Sequence, residues 1–169
     1  SDKSKAEAIA AQTKRTIKEN YHRDPEFYRR FSEKIEKLIA ALKEAAKEDL
    51  EILLARARNY QEQVSGYEAD DIPEQIKSKK EYHPFFRNLN SELRDYAIPP
   101  ERLCEIVKTI HDLIDQNKIV DWYRNIEVKR KVRMELEDYL FDIVKKQYGV
   151  SLSVEDIDRV ITMAWNLAV

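Results

Sequence analysis

The chain has 169 residues, 37% of them charged, with only two glycines and a net charge of −2. That length fits one domain, able to bury roughly 70% of its unfolded surface, and the near-neutral balance leaves any nucleic-acid contact to a local patch. One cysteine excludes an internal disulfide and suits a reducing cytoplasm, and neither a signal peptide nor an apolar run of the ~20 residues a membrane span needs is present. Ala, Glu, Lys, Leu and Arg dominate, which predicts an all-α chain: an irregular bundle of about six to eight helices with no sheet.

In chain order, Ala6, Ile9, Ala10, Thr13 and Ile17 recur at spacings of three and four and predict a first helix from about Lys3 to Glu19. Asp24 stands where an N-cap belongs, with Pro25 at the favoured first position. The second helix carries Phe27, Tyr28, Phe31, Ile35, Leu38, Ile39 and Leu42 on one stripe. Between Glu44 and Asp49 the periodicity blurs with no Gly or Pro, so either a tight break or one long helix to Val64 fits. Leu50, Leu53, Leu54, Ala57 and Val64 continue an apolar face, and Gly66 is expected to supply the left-handed turn that ends it. Residues 67–99 read as an irregular connector with short helices after Pro73 and Pro84. Pro99-Pro100 open a helix bearing Leu103, Ile106, Val107, Ile110, Leu113 and Ile114. Another runs from about Asn125 to Tyr148, with Val128, Val132, Leu136, Leu140, Ile143 and Val144 inward and Gly149 as its stop. Ser153 and Asp156 form a capping box for the last helix, whose apolar face is Ile157, Val160, Ile161, Ala164 and Trp165. The whole is expected to be a single helical domain over 1–169, with halves 1–66 and 100–169 packed together across the connector 67–99.

Catalytic patterns are sparse. None of His22, His83 and His111 has a metal-ligand partner at usable spacing. Cys104 and His111 share a helix side, but seven residues put them roughly 10 Å apart along the axis, too far for a nucleophile–base pair. A half-buried thiol and a surface imidazole are expected instead. No Gly-rich loop precedes Lys-Ser or Lys-Thr, so no phosphate cradle is encoded. Asp121 with Glu127 and Lys129 suggests a nuclease set, yet on a helix Glu127 and Lys129 diverge by ~200°. The contact candidates are therefore basic and aromatic. From Asp121 to Arg133 five cations (Arg124, Lys129, Arg130, Lys131, Arg133) oppose two acids. Lys129, Arg130 and Arg133 are read as occupying different sides of the wheel, against a single phosphate-tracking stripe. Lys131–Glu135 and Arg133–Glu137 have ion-pair spacing. Trp122 either packs under a helix start or anchors a partner, Asn125 stands beside it, and Trp165 reads as core. Lys14 and Lys18, with Arg15 beside them, make a second modest patch.

Three blocks, Ala8 to Ile17, Asp24 to Ser32 and Val120 to Met134, resemble the carboxyl-terminal helical region of type I restriction enzyme R subunits. The resemblance runs in the same order over most of the chain, specific in those blocks and vague between Gly66 and Pro99. Such R subunits are ATP-driven DNA translocases and endonucleases, with a nuclease domain and two helicase-like motor domains ahead of this region. The resemblance implies a non-catalytic assembly and docking domain that holds the subunit on a methyltransferase core of modification and specificity subunits. It implies no cofactor in this region, with ATP and Mg needed only by upstream parts. The implied partners are the modification and specificity subunits, the upstream motor domains and, as an alternative, duplex DNA, in the cytoplasm and away from membranes. The initial Ser fits a piece of a longer subunit. The chain departs from the family pattern at Glu44–Asp49, where a Gly- or Ser-marked turn is common. A direct DNA-binding helical element and a generic helical scaffold are the competing readings.

Overall fold

A computed structural model describes residues 1–169, in two compact units, Ser1–Asp71 and Ile72–Val169. Neither contains a strand, and the chain is an all-α irregular bundle with seven α-helices. No helix is long and apolar enough to cross a membrane.

The first unit is a three-helix bundle of α1 (Asp2–Asn20), α2 (Pro25–Glu44) and α3 (Leu50–Gly66). Each helix contacts the other two, and the tight connections make α2 run back along α1 and α3 back along α2. Asp24 caps α2 as its spacing predicts, its Oδ1 accepting from the Phe27 amide at 3.2 Å, with Pro25 opening the helix. The stripe Phe27, Tyr28, Phe31, Ile35, Leu38 and Leu42 is buried against Ala6, Ala10, Ile17, Leu53, Leu54, Ala57 and Val64. Of the two readings left open at Glu44–Asp49, the break is the one found. Ala45 and Ala46 are extended, and a 3-10 turn, Lys47–Asp49, leads into α3. A continuous helix would carry Asp49 onto the line joining Leu42 to Leu53; the break leaves that carboxylate in water, where its charge costs nothing to solvate.

At the end of α3 the expectation for Gly66 is corrected. Gly66 is the last helical residue, and Tyr67 takes the left-handed conformation at φ 52°, ψ 48°. A bulky residue there is strained, and its own contacts hold it. The Tyr67 ring meets Phe27 edge-on at 4.8 Å, and its hydroxyl donates to the Asp24 carboxylate.

In the second unit, α5 (Pro100–Gln116) and α7 (Val154–Ala168) pack together, and both touch α4 (His83–Glu92) and α6 (Ile126–Asp138). Part of the stretch read as connector is core: Ile76, Tyr82, Phe85, Phe86, Leu89 and Leu93 are buried with the α5 and α7 stripes. The short helices after Pro73 and Pro84 are a 3-10 turn, Glu74–Ile76, and α4 itself. Beyond Asp138, α6 widens into a π-helical stretch, Tyr139–Gln147, closed by a Tyr148 N–H to Ile143 carbonyl bond at 2.9 Å. Gly149 (φ 72°) then turns the chain. Ser153 and Asp156 make the reciprocal capping box on α7.

A candidate docking surface on the second unit

After α5 the chain turns through Asp121, left-handed at φ 54°, into a 3-10 turn, Trp122–Arg124. Backbone bonds from Trp122 N–H to Ile119 O (3.0 Å), Arg124 N–H to Asp121 O (3.0 Å) and Asn125 N–H to Trp122 O (3.1 Å) close the turn. Asn117 ties it down, its amide donating to the Leu113 carbonyl at 2.8 Å and to Glu135 of α6 at 3.4 Å. This hydrogen-bonded turn holds apolar side chains in solvent. Val120 is 90% exposed, Ile126 68% and Ile119 59%, with Tyr123 beside them.

The two tryptophans meet at its edge. Trp122 lies edge-to-face on Trp165 of α7, with centroids 5.1 Å apart, and both are half-buried. Trp165 is thus not core, as its position on the apolar face suggested; it forms the rim of the last helix, where α6 leaves it partly open. Cations rest on the rings: Lys118 Nζ is 5.0 Å from the Trp122 centroid, Lys129 Nζ 5.6 Å from Trp165, and the Arg124 guanidinium 5.4 Å from Tyr123.

Between α6 and α7 lies a cleft of about 150 Å³ lined by Lys129, Val132, Arg133, Ile161, Thr162, Trp165 and Asn166. Lys129 and Arg133 share this cleft, which corrects the expectation that they point to different sides. At i,i+4 they stand one turn apart on one face of α6, and Arg130 is three residues from Arg133. Much of that charge is already matched. Arg130 pairs with Glu127 (2.9 Å), Lys131 with Glu135 (3.7 Å) and Arg133 with Glu137 (3.0 Å), and Arg133 also reaches Asp158 of α7. Asn125 acts locally: its Oδ1 accepts from the Glu127 and Val128 amides at 3.0 and 3.3 Å and caps α6.

The other candidate patch lies on α1 of the first unit. Lys14, Arg15 and Lys18 are exposed, but Lys14 pairs with Glu36 of α2 at 2.7 Å and Arg15 bonds Gln12 at 3.3 Å. Cys104 is buried outright rather than half-buried, and burial pushes its thiol up, away from the nucleophilic thiolate. His111 is half-buried, edge-on to Tyr82 and Phe85, with Nδ1 3.0 Å from the Asp112 carboxylate.

The sequence singles out Trp122, Arg124, Lys129 and Arg133, and Trp165 chiefly as core, but gives no such notice of Ile119, Val120 and Ile126 as parts of the surface or of Thr162 and Asn166 beside Trp165 on its far wall. A signal for the first three existed: Ile119-Val120 follow the α5 stripe after its last buried member, Ile114, with no periodicity to draw them inward. No protein-family model matches the chain, and no curated protein and no solved structure is significantly similar to it.

Proposed function

We propose that this chain is a non-catalytic docking domain whose second unit binds a protein partner through the turn between α5 and α6 and the rim of α7. The observation that carries the reading is the exposed group Ile119, Val120, Tyr123 and Ile126, held by a hydrogen-bonded turn beside the Trp122–Trp165 pair. Isolated exposed aliphatics are common on protein surfaces, but a cluster flanking half-buried tryptophans and arginines has the composition of an interface centre. On the resemblance to type I restriction R subunits, the partner is the core of modification and specificity subunits, in the cytoplasm. ATP, Mg and DNA cleavage then belong to the parts upstream of this region.

Direct DNA binding is the second reading, favoured by Lys129 and Arg133 standing together on α6. It is the weaker one, because Arg130, Lys131 and Arg133 already meet carboxylates and Asp121 and Glu127 sit among them. Phosphate tracking needs cations free to replace counterions.

The test is Val120→Asp with Ile126→Asp in a full-length R subunit carrying this region, mixed with modification and specificity subunits and followed by size exclusion. Both side chains are exposed, so the melting curve should hold while assembly weakens about tenfold or more. Normal assembly by a folded variant would remove this surface from the docking reading.

A further inference from the structure

The cleft between α6 and α7 has four chemically different sides. Its floor is apolar, Val132 and Ile161, and Trp165 forms one wall. Thr162 and Asn166, one turn apart and solvent-facing on α7, offer a hydroxyl and an amide along one rim. Lys129 and Arg133 stand on the other. An apolar floor with hydrogen-bonding groups along one edge suits a peptide, whose side chain can enter the cleft while its backbone meets the amide rim.

The cations give the partner's charge. Arg130, Lys131 and Arg133 are matched by Glu127, Glu135, and Glu137 with Asp158. Lys129 and Arg124 meet no carboxylate and rest on the Trp165 and Tyr123 rings. Lys129 is exposed and has no carboxylate partner, so a carboxylate placed beside it gains a charge-assisted hydrogen bond. A phosphodiester backbone would meet the same lysine but would leave the exposed apolar side chains of Val120 and Ile126 against a strongly hydrated surface, whereas a peptide can cover them.

We infer that the α6–α7 cleft takes an acidic, apolar segment of a partner protein. An aliphatic or aromatic side chain lies on the Val132–Ile161 floor against Trp165, a carboxylate sits on Lys129, and a second acidic group reaches Arg124. The inference rests on reading this surface as a docking site and adds the chemistry of what docks.

A random peptide library displayed on phage, selected on the immobilised full chain and counter-selected on Lys129→Glu, tests it. Enriched peptides should carry Asp or Glu within a few positions of Leu, Ile, Phe or Trp. A synthetic copy should lose roughly tenfold or more in affinity by calorimetry on Lys129→Glu, as one charge-assisted contact requires. Replacing its acidic residues by Asn or Gln should do the same, and Lys129→Gln should give a smaller loss in the same direction. Enrichment of neutral or basic peptides, or no enrichment that depends on Lys129, overturns the inference. So does Lys129-dependent binding of a short DNA duplex without peptide enrichment. The two readings fail separately. Assembly lost in the Val120→Asp, Ile126→Asp variant with no acidic peptide selected leaves docking in place and removes the acidic segment. Acidic peptides selected while that variant assembles normally do the reverse.

Discussion

Tyr139 opens the π-helical stretch with its hydroxyl buried against those of Thr109 and Tyr148, close to both but without a well-aligned hydrogen bond to either, and burial pushes its ionisation up to about 12. A buried hydroxyl that exchanges water for poorly aligned neighbours costs free energy, whereas the ring still fills its space. Tyr139→Phe should therefore raise stability by about 1 kcal/mol, against the usual direction of core substitutions. Denaturant unfolding checks it, and a loss of stability would mean that the hydroxyl does have a partner. Tyr67 is the opposite case. Its left-handed backbone is strained, but the ring and hydroxyl meet Phe27 and Asp24, so the side chain compensates for the conformation it imposes.

Helix termini were the most legible elements, because a cap is a local pattern that acts within three or four residues. Asp24-Pro25, Ser153 with Asp156, and Gly149 all do what their spacing predicts. The buried stripes of α1, α2, α5 and α7 were readable for the same reason: period 3.6 needs no knowledge of what lies opposite. The left-handed Tyr67 was not, since glycine usually takes that position and only tertiary contacts make tyrosine viable there. Nor was the π-helical stretch, whose apolar spacing resembles that of an α-helix. The candidate docking surface was half legible. Trp122 and its basic neighbours stood out, but the partner wall on α7 is distant in sequence, and pairing at that range leaves no periodic trace. Asn125 shows how a site candidate and a cap can be confused. Asn125→Ala should cost about 1 kcal/mol of stability, the usual value of an N-cap, with little effect on partner binding. A thermal melt alongside the assembly assay separates the roles; unchanged stability with lost assembly would make Asn125 a contact.

Over the whole molecule, each unit carries one carboxylate held below its ordinary range. In the first unit, the hydrogen bond from Arg29 does so at Glu26, with help from Arg30 and against the opposing effect of burial. In the second, the Tyr96 hydroxyl, assisted by the Ser153 amide and by Arg159, does so at Asp156. A folded-state pKa depressed below the unfolded value contributes stability that is present at neutral pH and lost as pH falls through the ordinary carboxylate range toward the folded value. Melting temperature should thus be flat near neutrality and fall below about pH 5. Asp156→Asn should lower it at pH 7 and make that acid decline shallower. An acid limb identical to that of the parent protein would show that Asp156 is not one of the groups responsible.

The edge-to-face contact of Trp122 and Trp165 has an optical consequence. These are the chain's only two tryptophans, so all of its indole emission originates at the proposed docking surface. At 5.1 Å their transitions couple, so the aromatic circular dichroism should carry a signed couplet that changes as soon as either ring turns. Lys129, resting on one ring of that pair, makes the signal sensitive to any anion brought beside it. The protein therefore carries an intrinsic reporter for occupancy of this surface, and needs no dye or tag to read it.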